Sequence, residues 1–128
     1  MLIHLLKSKI HRARLTQSDL HYEGSLAIDE DLMDKVGMVA CERILVVNAT
    51  NGERLETYAI PAPRGSRMFC LNGAAARKGM AGDVITVMAF GLVPDCDVAT
   101  SPPRVIVLDP DNAILIDRTT GGSGTDGE

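Results

Sequence analysis

A chain of 128 residues in which 45% are hydrophobic has the length of one domain and enough apolar material for a single core. Aromatic residues make up only 3% and none is a tryptophan, so the core must consist of aliphatic side chains, which suits β-structure. The formal net charge of −4 argues against nonspecific nucleic-acid binding and against attraction to anionic membranes.

The three cysteines, Cys41, Cys70 and Cys96, are odd in number and widely spaced. They match neither a disulfide framework nor a paired metal motif, so idle or buried cytosolic thiols are the favoured interpretation and no metal is expected. The first residues are interrupted by charge too soon for a signal peptide, and no apolar stretch reaches the roughly 20 residues of a membrane span. We therefore expect a cytoplasmic protein with no membrane and no nucleic-acid partner.

Short apolar segments separated by turn residues predict a succession of strands. In chain order, the predicted strands cover residues 9–16, 44–47, 54–60, 68–71, 84–90, 104–108 and 113–116. Residues 17–19 are predicted as a polar turn, Asn51-Gly52 as a hairpin turn, and Pro61 and Pro63 as the end of the strand before them. Many short strands with little helix favour a small β-barrel.

Two short helices are predicted between these strands. Asp29 fits the N-cap of a helix over residues 30–36, which Gly37 ends, and a second helical stretch covers residues 74–78. No internal repeat divides the chain, so residues 1–117 are predicted as one domain. The glycine-rich residues 118–128 have nothing apolar to bury and are predicted as a disordered tail.

The dipeptide Gly24-Ser25 is the most informative feature of the chain. Alone, it more often marks a turn than a reactive bond. Three further segments, residues 9–12, 50–60 and 64–76, occur in a characteristic order around it. Together these motifs closely resemble aspartate 1-decarboxylase, a family of small pyruvoyl-dependent enzymes, over residues 1–95. The resemblance implies a mainly β fold, a six-stranded double-psi β-barrel with short helices, which periodicity cannot show.

In that family the chain cuts itself between the glycine and the serine, and the serine becomes an N-terminal pyruvoyl group. The resemblance therefore implies a β chain of residues 1–24 and an α chain of residues 25–128. It also implies that L-aspartate forms a Schiff base with this group and is converted to β-alanine and CO₂ for pantothenate and coenzyme A biosynthesis. Pyridoxal phosphate is not expected, because the chain is short and has no phosphate loop.

Self-cleavage makes specific demands on the residues around the bond. The Ser25 hydroxyl must attack the carbonyl carbon of Gly24, and this uphill step needs strain and a donor for the developing oxyanion. Gly24 has no Cβ, so it can adopt backbone conformations closed to other residues. The resemblance gives the oxyanion role to Thr57, with Asn72 nearby, although each alone fits an ordinary strand or turn residue.

Selective binding of aspartate requires fixed positive charge for the carboxylate that is retained. Arg54 is the leading candidate, because a guanidinium binds a carboxylate through two parallel hydrogen bonds, and Lys9 would assist it. The resemblance favours Lys9 and His11 as a pair facing the site and gives Tyr58 the role of proton donor. A lone exposed arginine is usually only solvated, so the assignment of Arg54 depends on the surrounding match.

The backbone N–H groups of Gly73, Ala74 and Ala75 lie where a turn enters a helix and could bind a carboxylate. Tyr22 precedes the cleavage bond and is expected to shape the loop that is processed. These four residues complete the predicted site.

Neighbouring residues of a strand point to opposite faces, which creates a tension between Thr57 and Tyr58. The two can serve one site only if the strand is irregular or if two sites meet across a subunit contact. The resemblance implies a homotetramer with sites between subunits, and it leaves room for a maturation factor.

Two alternatives stay open at this stage. The chain could be a non-catalytic β-barrel binding module, such as a DNA-binding dimer that uses the basic residues between Lys7 and Arg14, although its acidic net charge weighs against this. It could also be an unprocessed relative in which Ser25 stays a serine.

Overall fold

The computed structural model describes residues 1–120, which form nine strands, one α-helix and two short 3₁₀ helices. The strands are β1 Leu2–Arg14, β2 Gln17–Asp19, β3 Ser25–Asp29, β4 Arg43–Asn48, β5 Arg54–Ala62, β6 Phe69–Asn72, β7 Val84–Pro94, β8 Arg104–Leu108 and β9 Ile114–Arg118. The α-helix, α1, covers Glu30–Val36, and the 3₁₀ helices cover Gly73–Lys78 and Asp95–Thr100.

Hydrogen bonding joins the strands in the order β2-β6-β3-β5-β4-β7-β1-β8-β9. Strand β1 pairs with β7 near one end of this order. Strand β2, which follows β1 in the chain after two residues, pairs with β6 at the other end, so the chain links the two ends of the sheet. Thr16 makes the closing contact, since its N–H donates to the Phe69 carbonyl at 2.8 Å and its Oγ1 accepts from the Phe69 N–H at 3.0 Å. Strands β6, β3, β5, β4, β7 and β1 thereby enclose a six-stranded barrel.

The mainly β class and the six-stranded barrel with short helices are confirmed. Pairing is parallel between β2 and β6, β3 and β5, and β1 and β8, and antiparallel between the other neighbours. This mixture of parallel and antiparallel pairs inside one small barrel is the double-psi arrangement that the resemblance implied.

One aliphatic core fills the barrel, as the composition predicted. Side chains from all six barrel strands, β8 and α1 belong to a single buried cluster, in which Phe69 is the one aromatic member. Its largest fully buried side chains are Phe69, Ile10, Leu15, Leu26, Ile28, Met33, Ile44, Leu71, Ile85, Ile106, Val36 and Val46. Burial of each such side chain is worth about 1.5–3 kcal/mol, so this cluster is the main source of stability.

Helix α1 begins and ends as predicted. Asp29 is its N-cap and accepts a hydrogen bond from the Asp31 N–H at 2.9 Å, and Gly37 ends the helix with φ of 77°. The Asp29 carboxylate also accepts from the backbone N–H groups of Gly65 at 3.0 Å and Arg67 at 2.8 Å. The Asp29 carboxylate therefore stabilises the loop before β6 as well as the start of the helix.

Several predicted elements were wrong in kind or extent. Residues 17–19 form strand β2 rather than a turn, because pairing with β6 overrides their polar character. Strand β3 was not predicted, since its five residues are all buried and show no alternation. Pro61 lies inside β5 opposite Ile28 instead of ending the strand, and Pro63 follows its last residue.

The remaining differences concern element limits. Strand β1 begins at Leu2 rather than at residue 9, and the second predicted helix is 3₁₀. The predicted hairpin of β8 and β9 is confirmed, and β9 extends to Arg118. The predicted tail thus falls mainly on residues 121–128, which lie outside the described residues. No helix within residues 1–120 has the length and apolar composition needed to cross a membrane.

Candidate active site

Ser25 is the first residue of β3 and is only 1% exposed. It lies opposite Asn72 in the antiparallel pairing of β3 with β6, and the Asn72 Nδ2 donates a hydrogen bond to the Ser25 Oγ at 3.0 Å. Leu26 and Ile28 belong to the core cluster, whereas Ala27 belongs to a second cluster outside it, so Ser25 shares the outer face of β3 with Ala27. The hydroxyl is therefore buried and fixed beside the exposed Gly24.

The steric need for glycine lies at Gly73 rather than at Gly24. A Cβ on Gly24 would meet no atom closer than the Asn72 carbonyl oxygen at 4.0 Å, and its φ is not positive, so neither packing nor φ requires a glycine there. Gly73 has φ of +70°, and a Cβ on it would lie 2.6 Å from the Gly24 Cα and 3.0 Å from the Tyr22 carbonyl oxygen. The absence of a side chain at Gly73 thus allows the backbone after β6 to pack directly against the backbone of residues 22–24.

Thr57 and Tyr58 come directly before the part of β5 that pairs with β3. Strands β3 and β5 are parallel, and their pairing begins with Leu26 opposite Ala59, so the preceding strand residue Ser25 is next in register to Tyr58, whereas Gly24 lies before β3 begins. Strand β5 pairs regularly with β4, so the two side chains point to opposite faces. We call Gly24, Ser25, Thr57, Tyr58 and Asn72 the cleavage group.

The two members of β5 approach the bond from different sides. Thr57 is half-buried and pairs with the core residue Ile44, which places it on the barrel's inner face. Tyr58 is 36% exposed and pairs with Arg43, on the outer face that also carries Ser25. The strand is therefore not irregular at Thr57 and Tyr58, and the other expectation, that the two serve sites across a subunit contact, stays a prediction.

Lys9, His11 and Arg54 share another part of the outer face, and we call them the basic row. Arg54 pairs with Val47, Val47 pairs with Thr86, and the Thr86 Oγ1 is 3.0 Å from the His11 Nδ1. Lys9 and Arg54 form no ion pair within residues 1–120, so their charges face solvent.

The structure does not bring the basic row and the cleavage group into one site within a single chain. Arg54 lies four residues before Tyr58 on the same strand face, which corresponds to about 13 Å along the strand. No hydrogen bond or ion pair joins Arg54 to the cleavage group within residues 1–120. We therefore describe the basic row and the cleavage group separately.

Partial burial lowers the pKa of His11, and the nearby positive charges of Lys9, Arg12 and Arg118 lower it further. The imidazole is consequently neutral at neutral pH. A neutral ring can exchange a hydrogen bond with the Thr86 hydroxyl without adding a charge to the basic row.

The other predicted site residues surround the cleavage group less closely. Tyr22 is 61% exposed, and its side chain lines a cavity of about 230 Å³ together with Asn72 and Cys70. Ala74 is exposed and Ala75 packs against the core. Binding of a carboxylate by the backbone N–H groups of Gly73, Ala74 and Ala75 stays a prediction.

Cys70 is buried, as one of the two sequence interpretations expected, but its contact with Asn72 was not predicted. The buried Cys70 Sγ donates a hydrogen bond to the Asn72 Oδ1 at 3.1 Å. The spacing of two residues on one strand could have indicated this contact, because residues i and i+2 share a face.

A model of the aspartate decarboxylase family matches residues 1–115. The aspartate 1-decarboxylase of Syntrophobacter fumaroxidans is 53% identical over 87% of this chain and 90% of its own length, and that of Leptospira biflexa is 50% identical over 88% and 96%. The crystal structure of a computationally designed protein, msDPBB_sym2, covers 58% of this chain and 94% of that one at 15% identity, with a TM-score of 0.46. The family match and these close relatives show that the chain belongs to the aspartate decarboxylase family.

Proposed function

We propose that this protein converts L-aspartate to β-alanine and CO₂, with a pyruvoyl group that it makes from Ser25 after cutting its own Gly24-Ser25 bond. The observation that carries the proposal is the buried Ser25 Oγ, fixed at 3.0 Å by the Asn72 Nδ2 next to an exposed glycine. Relatives about 50% identical over most of the chain are named aspartate 1-decarboxylase, which supports the substrate and the reaction.

The first step of self-cleavage forms a bond between the Ser25 Oγ and the Gly24 carbonyl carbon. The carbon–nitrogen bond then breaks, and the hydroxyl proton passes to the released nitrogen, which leaves an ester. Removal of the Ser25 Cα proton expels the Gly24 carboxylate and leaves dehydroalanine. Addition of water and loss of ammonia convert this group to pyruvoyl.

We assign the oxyanion of this step to two donors. The Ser25 Oγ and the Gly24 carbonyl oxygen become bonded to the same carbon, so the Asn72 Nδ2 needs only a small movement to reach the oxyanion. Thr57, on the inner face of β5, would donate its hydroxyl as the second donor. A single donor of this kind typically stabilises the transition state by about 3–4 kcal/mol.

Three features of the site fit a pyruvoyl group at position 25. Ser25 is shielded from solvent, Gly24 beside it is exposed and can depart with its new carboxylate, and Tyr58 lies level with Ser25 on the same face. Such a group supplies an electron sink for the carbanion that remains when CO₂ leaves. The Tyr58 hydroxyl then donates a proton to the substrate Cα.

We also propose that the complete site forms between subunits of a homotetramer. Arg54 is the residue we assign to the retained carboxylate, with Lys9 in support, but about 13 Å of strand separate it from Tyr58. The outer face around the basic row also exposes large apolar side chains, among them Phe90, Leu92 and Leu115. A second copy would cover these side chains and bring its own Arg54 to the cleavage group.

The proposal places the reaction in the cytoplasm, where β-alanine feeds pantothenate and coenzyme A biosynthesis. The alternative of a DNA-binding module has less support, because Lys7 is paired with Glu42 at 2.7 Å and Arg14 is half-buried. Two of the basic residues of β1 are therefore not freely available to a nucleic acid.

The direct test of the reaction is the formation of β-alanine from L-aspartate by the purified protein. The processed chain should yield β-alanine and CO₂ in equal amounts, and L-glutamate should be a poor substrate. A processed chain that leaves L-aspartate unchanged would contradict the proposed reaction.

A further inference from the structure

We propose that Cys70 is a positioning residue for self-processing, whose thiol holds the Asn72 amide in the orientation that directs Nδ2 at the Ser25 Oγ. This inference rests on the proposed cleavage of the Gly24-Ser25 bond. It assigns a function to a cysteine that otherwise reads as a passive part of the fold.

The three side chains form one continuous line of hydrogen bonds on the outer face of β6 and β3. Cys70 is 4% exposed, and its Sγ donates to the Asn72 Oδ1 at 3.1 Å. The other end of the same amide, Nδ2, donates to the Ser25 Oγ at 3.0 Å. Asn72 makes no side-chain capping bond to the 3₁₀ helix that follows it, so these two contacts fix its amide.

A contact with Ser25 alone does not determine which way the Asn72 amide points. The Ser25 hydroxyl donates to the Glu23 carbonyl oxygen across a long distance of 3.4 Å, and by turning away from that weak contact it could donate to Oδ1 instead of accepting from Nδ2. The flipped orientation puts an acceptor at the nucleophile and removes the donor that the oxyanion requires. The thiol at position 70 favours one orientation, because sulfur accepts hydrogen bonds only weakly and its S–H is donated to Oδ1.

The surroundings of Cys70 keep the thiol in its donating form. Burial raises the pKa of the Cys70 thiol, and the charge of Asp19 on β2 raises it further, whereas a hydrogen bond from Gln17 on β2 lowers it. On β3 the facing residues are Ser25 and Ala27, which carry no charge, and the Tyr22 ring lines the adjoining cavity. Cys70 therefore remains a protonated donor at neutral pH.

The test follows the cleavage rate of freshly purified precursor by intact mass after warming, for the wild type, Cys70→Ala, Cys70→Ser, Asn72→Ala and the double variant Cys70→Ala/Asn72→Ala. Loss of one orienting hydrogen bond should slow Cys70→Ala by about five- to tenfold. Cys70→Ser keeps a donor and should cleave within about twofold of the wild-type rate. In the Asn72→Ala background, Cys70→Ala should cause no further loss, because the two residues act as one unit.

Each result decides the inference. Wild-type cleavage in Cys70→Ala would overturn it and leave the proposed function intact. Slow cleavage in Cys70→Ser, or an independent loss in the double variant, would mean that Cys70 acts through packing and would also overturn it. A wild-type chain that never cleaves would overturn the inference together with the proposed function. Thermal unfolding of each variant verifies that the rates belong to folded protein.

Discussion

The cleavage group and the basic row differ in how completely one chain assembles them. The cleavage group is buried around Ser25, tied by hydrogen bonds across β3 and β6, and closed by the contact of Gly73 with Gly24. The basic row is open, and Arg54 has no ionic partner within residues 1–120. Under the proposed function, this difference leads us to expect that self-processing needs one chain, whereas substrate binding needs a second copy.

Substitution of the nucleophile should have the largest effect, because it should stop both cleavage and aspartate turnover. Ser25→Ala should abolish both cleavage and aspartate turnover and leave the fold intact, because the chemistry requires the hydroxyl. Ser66→Ala is the matched control, since Gly65-Ser66 is a second Gly-Ser dipeptide whose serine is exposed. Intact mass and β-alanine formation measure the two outcomes, and a cleaved, active Ser25→Ala protein would remove Ser25 from the mechanism.

Substitution in the basic row should impair aspartate turnover without impairing cleavage. Arg54→Ala should cleave at the normal rate but lose roughly 100-fold or more in kcat/KM for L-aspartate, because the bidentate carboxylate contact is lost. Arg77→Ala, which removes another exposed arginine, should retain turnover. Near-normal kinetics for Arg54→Ala would place the carboxylate elsewhere, and impaired cleavage would show that the regions are not independent.

The close contact between Gly73 and Gly24 can be tested by comparing Gly73 with Gly52, which also has a positive φ but has no neighbouring atoms near its Cβ position. Gly73→Ala should destabilise the protein by about 3 kcal/mol and slow cleavage, because its Cβ would collide with the cleavage segment. Gly52→Ala also has positive φ but meets no atom within 4 Å, so it should cost only about 1–2 kcal/mol and leave cleavage unchanged. Denaturant unfolding provides both values, and equal losses would contradict the close packing.

The smallest expected effect concerns the pH dependence of stability. The folded state lowers the pKa of His11 below its ordinary value of 6.5, so the unfolded chain takes up this proton first on acidification. The contribution of His11 to stability is therefore complete above pH 6.5 and declines as the pH falls below it. His11→Gln should lose less stability than the wild type between pH 7.5 and 5, as measured by thermal unfolding.

The control for this prediction is His4→Gln, because His4 is exposed on the same strand. It should follow the wild-type pH profile. Identical profiles for the wild type and His11→Gln would mean that the imidazole is as free to take up a proton in the folded protein as in the unfolded chain.

The sequence predicted correctly those elements that are determined by residues close to each other in the chain. The N-cap Asp29, the stop at Gly37 and the hairpin of β8 and β9 belong to this class. Strand β2 was missed because three polar residues become a strand only through pairing with β6, about 50 residues later. The closing contact of Thr16 with Phe69 spans a similar distance and leaves no local pattern.

The residues of the candidate site also fall into those that the sequence indicated and those that only the structure revealed. Family resemblance supplied Ser25, Thr57, Tyr58 and Asn72; the structure shows a hydrogen bond between Ser25 and Asn72, and the roles of all four stay predictions. It did not supply Cys70, nor the steric role of Gly73, because both depend on which atoms meet across strands.

The central claim, that Ser25 becomes the cofactor, is tested most directly by the intact mass of the purified protein under denaturing conditions. The account predicts two chains, residues 1–24 and residues 25–128, with the larger one lighter by one ammonia than a fragment that begins with serine. A single uncut chain of 128 residues that persists after prolonged warm incubation would contradict it.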